Sequence, residues 1–390
     1  MDVLEKPDKL PNRPNFSSGP CVKRPGWSLD NLKCSDLLGR SHRSKVCLNS
    51  LKEVIYLTKE NLEIPDDFKV AIVPGSNTGA FEMALWSMIG SIPVDALAWE
   101  TFGSGWIYDI KEQLKIKDLR IHKAEYGSIP DLSLVRDESD ICFTWNGTTS
   151  GVKVPNADWI SKNRKGITFC DATSAIFSQN LDWEKIDVAT FSWQKCMGGE
   201  GGHGILIMSP RAIERLKTFN PNRPLPKLFR LIKNEELIEG IYQGETINTP
   251  SMLCVADALD SLLWIKELGG WKKTYEKSMK NFEILSSWYH EKDWISNTVK
   301  DENIQSNTSI CLEIKDKKYL SLDFQNKWDF IQNMCSILEH NNAAFDIKGH
   351  RDAPPGLRIW CGPTVEEDDL RMLLPWLEWS FENIRKDFFN

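Results

Sequence analysis

Short, nearly continuous apolar runs recur along the first half of this chain: KVAIVPG (69–75), ALAWE (96–100), DICFTW (140–145), GITFC (166–170), VATFSW (188–193) and GILIM (204–208). A strand with one wet face alternates apolar and polar residues, and these do not. Each must therefore be covered on both faces. Segments of helical spacing separate them, such as TGAFEMALWSMIG after the first run. The chain thus reads as α/β, with a mostly parallel sheet between two layers of helices.

The remainder fits around that unit. Residues 1–30 read as an irregular, Pro-bearing arm, residues 31–265 as the large unit, and residues 266–390 as a smaller α/β unit. The smaller unit shows strand-like SICLEI, AAFDI and GLRIWC, and a last helix that the capping box Thr364-Val365-Glu366-Glu367 would open. Ser209-Pro210 starts a helix, and SMLCVADALDSLLWIKELGG (251–270) is another, with Gly269 at its end. The Pro- and Arg-bearing connection at 219–250 is too long for an ordinary loop and is a candidate functional or interface segment.

The net charge of −7 gives no reason to expect nucleic acid or an anionic membrane as partner. The ten cysteines include no C-x-x-C pair, so neither a zinc knuckle nor a dithiol motif is present, and a reducing compartment is expected. The first residues lack the apolar core of a signal peptide, which makes the cytoplasm the expected location. No metal is called for.

Ligands of open α/β sheets sit beyond the carboxyl ends of the strands. The residues just past each apolar run are therefore informative: Gly75-Ser76-Asn77-Thr78, then Trp106 in a Gly-rich segment, Asn146-Gly147-Thr148, Asp171, and Gln194-Lys195 before Gly198-Gly199-Glu200-Gly201-Gly202. Small and hydroxyl residues at a helix start supply the donors that a phosphate monoester needs. A buried Asp can pair with a protonated pyridine nitrogen, and a buried lysine with a free amine forms a Schiff base with an aldehyde. Singly these are weak signals. An Asp after a strand is commonly a turn or cap residue, and a strand-end Lys is commonly solvated. Together they point to a cofactor site with Lys195 as the attachment point and Asp171 as the ring partner.

The ordered set NFSSGP (15–20), SHRS (41–44), PGSNTGAF (74–81), GW (105–106), NGTTSG (146–151), DATSA (171–175), SWQK (192–195), GGEGGHG (198–204), INTP (247–250) and KGHR…GLR (348–358) resembles the phosphoserine aminotransferases of the class-V aminotransferase family. The resemblance spans nearly the whole chain. It implies a fold-type I pyridoxal-phosphate transferase: a large domain with a mostly parallel seven-stranded sheet covered by helices, a smaller C-terminal α/β domain, and a homodimer with shared active sites. The implied reaction moves the amino group of glutamate to 3-phosphohydroxypyruvate, and many members also accept the four-carbon analogue of pyridoxine biosynthesis. Lys195 then resembles the cofactor lysine and Asp171 the partner of the ring nitrogen. Trp106 resembles the ring that stacks on the cofactor, Thr148 the partner of its 3-hydroxyl, and Asn77, Thr78 and Gln194 match phosphate and ring contacts. Asn248 and Thr249 match contacts made to the other subunit's cofactor phosphate, and His42, Arg43, His350, Arg351 and Arg358 match substrate-anion residues.

The sequence departs from the family at Thr78, where many relatives carry Arg. The substrate phosphate is then left to Arg43, Arg351 or the basic connection around Arg223 and Arg230. A cysteine desulfurase on the same fold would need a Cys on a mobile loop, and Cys361 lies in a strand-like run instead. A nucleotide-binding module is disfavoured because no G-x-x-x-x-G-K-[ST] occurs.

Overall fold

The computed structural model describes residues 5–389. Its centre is a seven-stranded sheet of order β1-β7-β6-β5-β4-β2-β3. The strands are β1 (Lys69–Pro74), β2 (Val94–Ala98), β3 (Leu119–Lys123), β4 (Asp140–Thr144), β5 (Thr168–Asp171), β6 (Val188–Ser192) and β7 (His203–Met208). β7 runs antiparallel to both its neighbours, and the other pairs are parallel. Alternate residues feed two separate cores, as strand geometry requires. Val70, Ile205 and Ile207 face one core, and Ala71, Leu206 and Met208 face the other. Helices α1 (Lys45–Asn61) and α5 (Met252–Leu268) cover the first face. Helices α2 (Ser76–Met88), α3 (Thr101–Tyr108) and α4 (Pro210–Thr218) cover the second.

The six apolar runs all became strands. The seventh strand, β3 (LRIHK), sits at the edge and is partly exposed, so its sequence carries no apolar run. Buried Asp95 of β2 accepts from Arg120 at 2.9 Å and lies 2.8 Å from His122, which ties the edge in place. Asp140 pairs with Arg215 at 2.8 Å, and Asp187 pairs with Arg164 and Arg211 at 3.0 Å each. These pairs fix the amino ends of the strands, opposite the end that carries Lys195.

A second sheet is antiparallel, built from β8 (Ile295–Asn297), β9 (Ser309–Ile314) and β10 (Leu357–Trp360). Helices α6 (Trp271–His290), α7 (Phe324–His340) and α8 (Glu367–Phe389) accompany it. Two expectations fail here. AAFDI is not a strand: Phe345 makes only an isolated bridge to Asn15, and Asp346 takes a left-handed φ of 58°. The capping box does not form either. α8 starts at Glu367, Thr364 Oγ1 is buried without a partner, and the carboxylate of Asp369 in its first turn instead accepts from the amide of Asn12 at 2.6 Å.

The cap read at Ser209 is present, its side chain accepting the amide three residues on, and Gly269 closes α5 in the left-handed region as expected; Ser251 caps the start of α5 in the same way as Ser209. The N-terminal arm is irregular but firmly attached. Phe16 is fully buried, its carbonyl accepts from Trp360 N at 3.0 Å, and the guanidinium of Arg13 donates to the Lys23 carbonyl at 2.6 Å.

Candidate active site

The carboxyl ends of β4, β5 and β6 converge with the start of α2 on a cavity of about 310 Å³, within the range of small-molecule sites. Asn77, Thr78, Trp106, Thr148, Asp171, Gln194 and Lys195 all line it. A larger cavity of about 600 Å³ between α4 and residues 219–235 is lined by Arg223 and Arg230 but by none of the expected cofactor residues.

Asp171 ends β5 and is almost fully buried. Its Oδ2 accepts from the Trp106 indole at 3.1 Å, and its Oδ1 accepts from the Thr173 hydroxyl at 2.7 Å and amide at 3.1 Å. Burial pushes its carboxyl up, and the hydrogen bonds from Thr173 and Trp106 and the charge of Lys195 oppose that rise. The Trp106 ring packs on Phe81 with centroids 4.6 Å apart.

Lys195 lies just beyond β6, buried, and its amine donates to the Ser18 carbonyl. Burial lowers its pKa, and the nearby Arg358 charge lowers it further. A lysine so placed exposes a free amine at lower pH than a solvated one.

At the other end of the cavity, Gly75 takes a left-handed φ of 83° and opens α2. The Gly202 carbonyl accepts the amides of Gly75 and Ser76, and the first helical bond runs from Gly79 to Gly75. The amides of Asn77 and Thr78 are thereby left for an anion. Asn77 Oδ1 and Gln194 Oε1 are buried without partners, while Gln194 Nε2 donates to Ser76 Oγ at 3.3 Å. Gly202, at the end of the Gly-rich segment, thus clamps this helix start. Thr148 shares a short hydroxyl contact with Ser174, and its carbonyl accepts from Ser309 at 2.7 Å.

These residues fit pyridoxal phosphate. A buried carboxylate is matched to a ring nitrogen, an amine of lowered pKa to the aldehyde, and a helix start with two open amides to the phosphate.

Other expected residues lie elsewhere. Asn248 and Thr249 are exposed and do not line the cavity of their own chain, and neither do His42 or Arg43. Arg351 is 88% exposed and reaches only Asp352, at 3.9 Å. His350 does not line the cavity; its ring lies 6.1 Å from that of Phe102, which does, and burial followed by the Arg358 charge lowers its pKa. Arg358 on β10 has a buried Nε without a partner. Arg223 is not a spare cation: it donates to the carbonyls of Trp86 at 2.8 Å and Ile89 at 2.6 Å, capping the far end of α2. Arg230 donates to the Leu225 carbonyl at 3.0 Å.

Three contributors give no signal of their own in the sequence. Ser18 and Gly19 lie in the NFSSGP motif, yet neither residue type marks a site by itself. Glu100, buried at the start of α3, belongs to no motif at all.

Residues 111–314 match the family described as "Aminotransferase class-V". The chain is 48% identical over 382 residues to the phosphoserine aminotransferase of Methanosarcina barkeri, covering 97% of this chain and 100% of that protein. This chain belongs to the class-V aminotransferase family. In fold it is similar to the crystal structure of a phosphoserine aminotransferase from Cytophaga hutchinsonii, with a TM-score of 0.81, 21% identity, and 95% and 99% of the two chains covered. A pyridoxal-phosphate-bound phosphoserine aminotransferase from Trichomonas vaginalis gives a TM-score of 0.74 at 18% identity, covering 94% of this chain and all of that one. No described helix is long and apolar enough to cross a membrane.

Proposed function

We propose that this class-V aminotransferase uses pyridoxal phosphate on Lys195 to exchange the amino group of L-glutamate with 3-phosphohydroxypyruvate, giving 2-oxoglutarate and O-phospho-L-serine. The observation that carries the reading is the convergence of Lys195, Asp171, Trp106 and the start of α2 on one cavity. The identity of 48% with a named phosphoserine aminotransferase, over nearly its whole length, supports the substrate.

When bound, the cofactor supplies an aldehyde for the amino group and a ring that withdraws electrons from the carbon being deprotonated. Asp171 holds the ring nitrogen protonated. Trp106 covers the ring, Thr148 orients its 3-hydroxyl, and the amides of Asn77 and Thr78 with Gln194 hold the phosphate. Lys195, with its lowered pKa, takes the proton from the α-carbon of glutamate in one half-reaction and delivers a proton to the α-carbon of the product in the other. Arg358 forks the α-carboxylate common to all four substrates and products. His350, with Arg351, Arg43 and His42, supplies positive charge for the substrate phosphate or distal carboxylate.

The working unit is a homodimer in the cytoplasm, in which Asn248 and Thr249 complete the phosphate cup of the other subunit. Their exposure and absence from the cavity of their own chain support this. The four-carbon phosphorylated oxo acid of pyridoxine biosynthesis is a second substrate. The test is 2-oxoglutarate release from glutamate with 3-phosphohydroxypyruvate, its four-carbon analogue, pyruvate or glyoxylate as acceptor. The phosphorylated acids should dominate kcat/KM, and equal use of pyruvate or glyoxylate would remove the substrate assignment.

A further inference from the structure

Glu100 follows β2 and is the N-cap residue of α3, with extended backbone and a side chain only 3% exposed. N-caps are usually Ser, Thr, Asp or Asn, whose short side chains reach the amide three residues on. Glu100 Oε1 does this, accepting from Gly103 N at 2.6 Å. The extra methylene lets Oε2 reach a second segment, where it accepts from the Thr149 hydroxyl at 2.9 Å. Thr149 Oγ1 in turn accepts the Thr101 amide at 3.2 Å. The turn before it is seated on the same side chain, since a Cβ on Gly147 would lie 2.7 Å from Glu100 Cγ. No cation among its named neighbours offsets the carboxylate. They are amide and hydroxyl donors, and the charged one, Asp171, has the same sign. A buried carboxylate in such surroundings is costly unless its geometry is needed.

The cargo of the two bonded segments explains that need. α3 bears Trp106, whose indole is on Asp171, and the turn bears Thr148, next to Thr149. We infer that Glu100 is a positioning residue: one carboxylate sets the spacing between Trp106 and Thr148, and so fixes the face and the 3-hydroxyl edge of the cofactor ring relative to Asp171. This rests on the reading of the cavity as a pyridoxal-phosphate site. Glu100 itself touches neither cofactor nor substrate in this assignment.

The decisive variant is Glu100→Asp, which can still cap Gly103 but is too short to reach Thr149. Thr149→Val removes the hydroxyl contact from the other side, together with the Thr101 amide contact, and leaves the Thr149 amide 3.4 Å from the carboxylate. Cofactor-free protein of each variant, of the double variant and of wild type is titrated with pyridoxal phosphate. The readouts are the dissociation constant, the visible circular dichroism of the bound cofactor and the melting temperature of the cofactor-free protein. Each single variant should bind about five- to tenfold more weakly, with visible dichroism clearly reduced and a melting temperature near wild type. The double variant should lose less than the sum of the two single losses, because both cut the hydroxyl contact. Wild-type dichroism and affinity in Glu100→Asp would overturn the proposal, as would additive losses in the double variant. If Glu100→Asp proves unstable, Thr149→Val alone decides in the same terms. Wild-type protein without any cofactor dichroism would instead overturn the functional reading beneath it.

Discussion

A β-carbon placed on Gly19 would stand 2.5 Å from Nζ of Lys195 and 2.9 Å from its Cε. The arm therefore crosses the lysine at a distance only glycine permits, and the neighbouring Ser18 carbonyl accepts the amine. The position also has a φ of 148°, which side-chain-bearing residues rarely adopt. Gly19→Ala should displace the amine by a fraction of an ångström to an ångström and lower kcat by about a hundredfold. Steady-state kinetics beside a melting curve checks this. Near-normal turnover in a well-folded Gly19→Ala protein would contradict it.

Arg358 acts on Lys195 through charge, besides the role proposed for it on the substrate. Its guanidinium helps burial lower the lysine pKa, so its removal should raise that pKa, and the free amine should then appear only at higher pH. The rate at which cofactor-free protein captures pyridoxal phosphate should rise with pH along a curve displaced upward in Arg358→Ala. In Arg358→Lys, which keeps the charge, the curve should stay near its wild-type position. Both variants lose the fork. For Arg358→Ala, kcat/KM with glutamate and with 3-phosphohydroxypyruvate should fall alike by roughly ten- to more than a hundredfold, the worth of one charge-assisted contact.

Burial pushes the Glu100 carboxyl up from its ordinary 4.5 to about 7. The folded state thus holds this proton more tightly than the unfolded chain. Its contribution to stability is complete below about pH 4.5, declines as pH rises toward about 7, and is constant above that. The difference corresponds to about 3 kcal/mol across the window. Urea unfolding of wild type and Glu100→Gln at pH 5 and pH 8 measures it. Glu100→Gln should lose this part of the pH dependence, and identical slopes in the two proteins would contradict the assignment.

The proposed sharing of sites between subunits predicts complementation. Lys195→Ala and Thr249→Arg chains should each be inactive alone, yet confirmed heterodimers should recover up to about a quarter to a half of wild-type activity per dimer, because one hybrid site has both sound halves. Heterodimers without activity would mean that one chain builds the whole site.

The central sheet was legible because burial on both faces leaves unbroken apolar runs. β3 was not, because an edge strand such as LRIHK can stay polar when Asp95 anchors it. The cavity residues after each strand were legible from position and residue type together. Arg223 was not, since a guanidinium capping the carbonyls of α2 has the same local sequence as one awaiting a phosphate. Thr364 misled for a similar reason: the capping box is a local pattern, and the arm outcompetes it through Asn12 and Asp369. Glu100 was invisible because its importance comes from Thr149, 49 residues away.

The most direct test tracks the cofactor on Lys195. Purified protein is treated with borohydride, and the modified peptide is identified by mass. A parallel untreated sample is monitored by visible absorbance as glutamate, then 3-phosphohydroxypyruvate, is added. Pyridoxyl phosphate should be found on Lys195, glutamate should bleach the visible band, and 3-phosphohydroxypyruvate should restore it. Lys195→Ala should lose transamination by several orders of magnitude. Cofactor on another lysine, a band indifferent to glutamate, or a Lys195→Ala protein with near-full turnover would contradict the account.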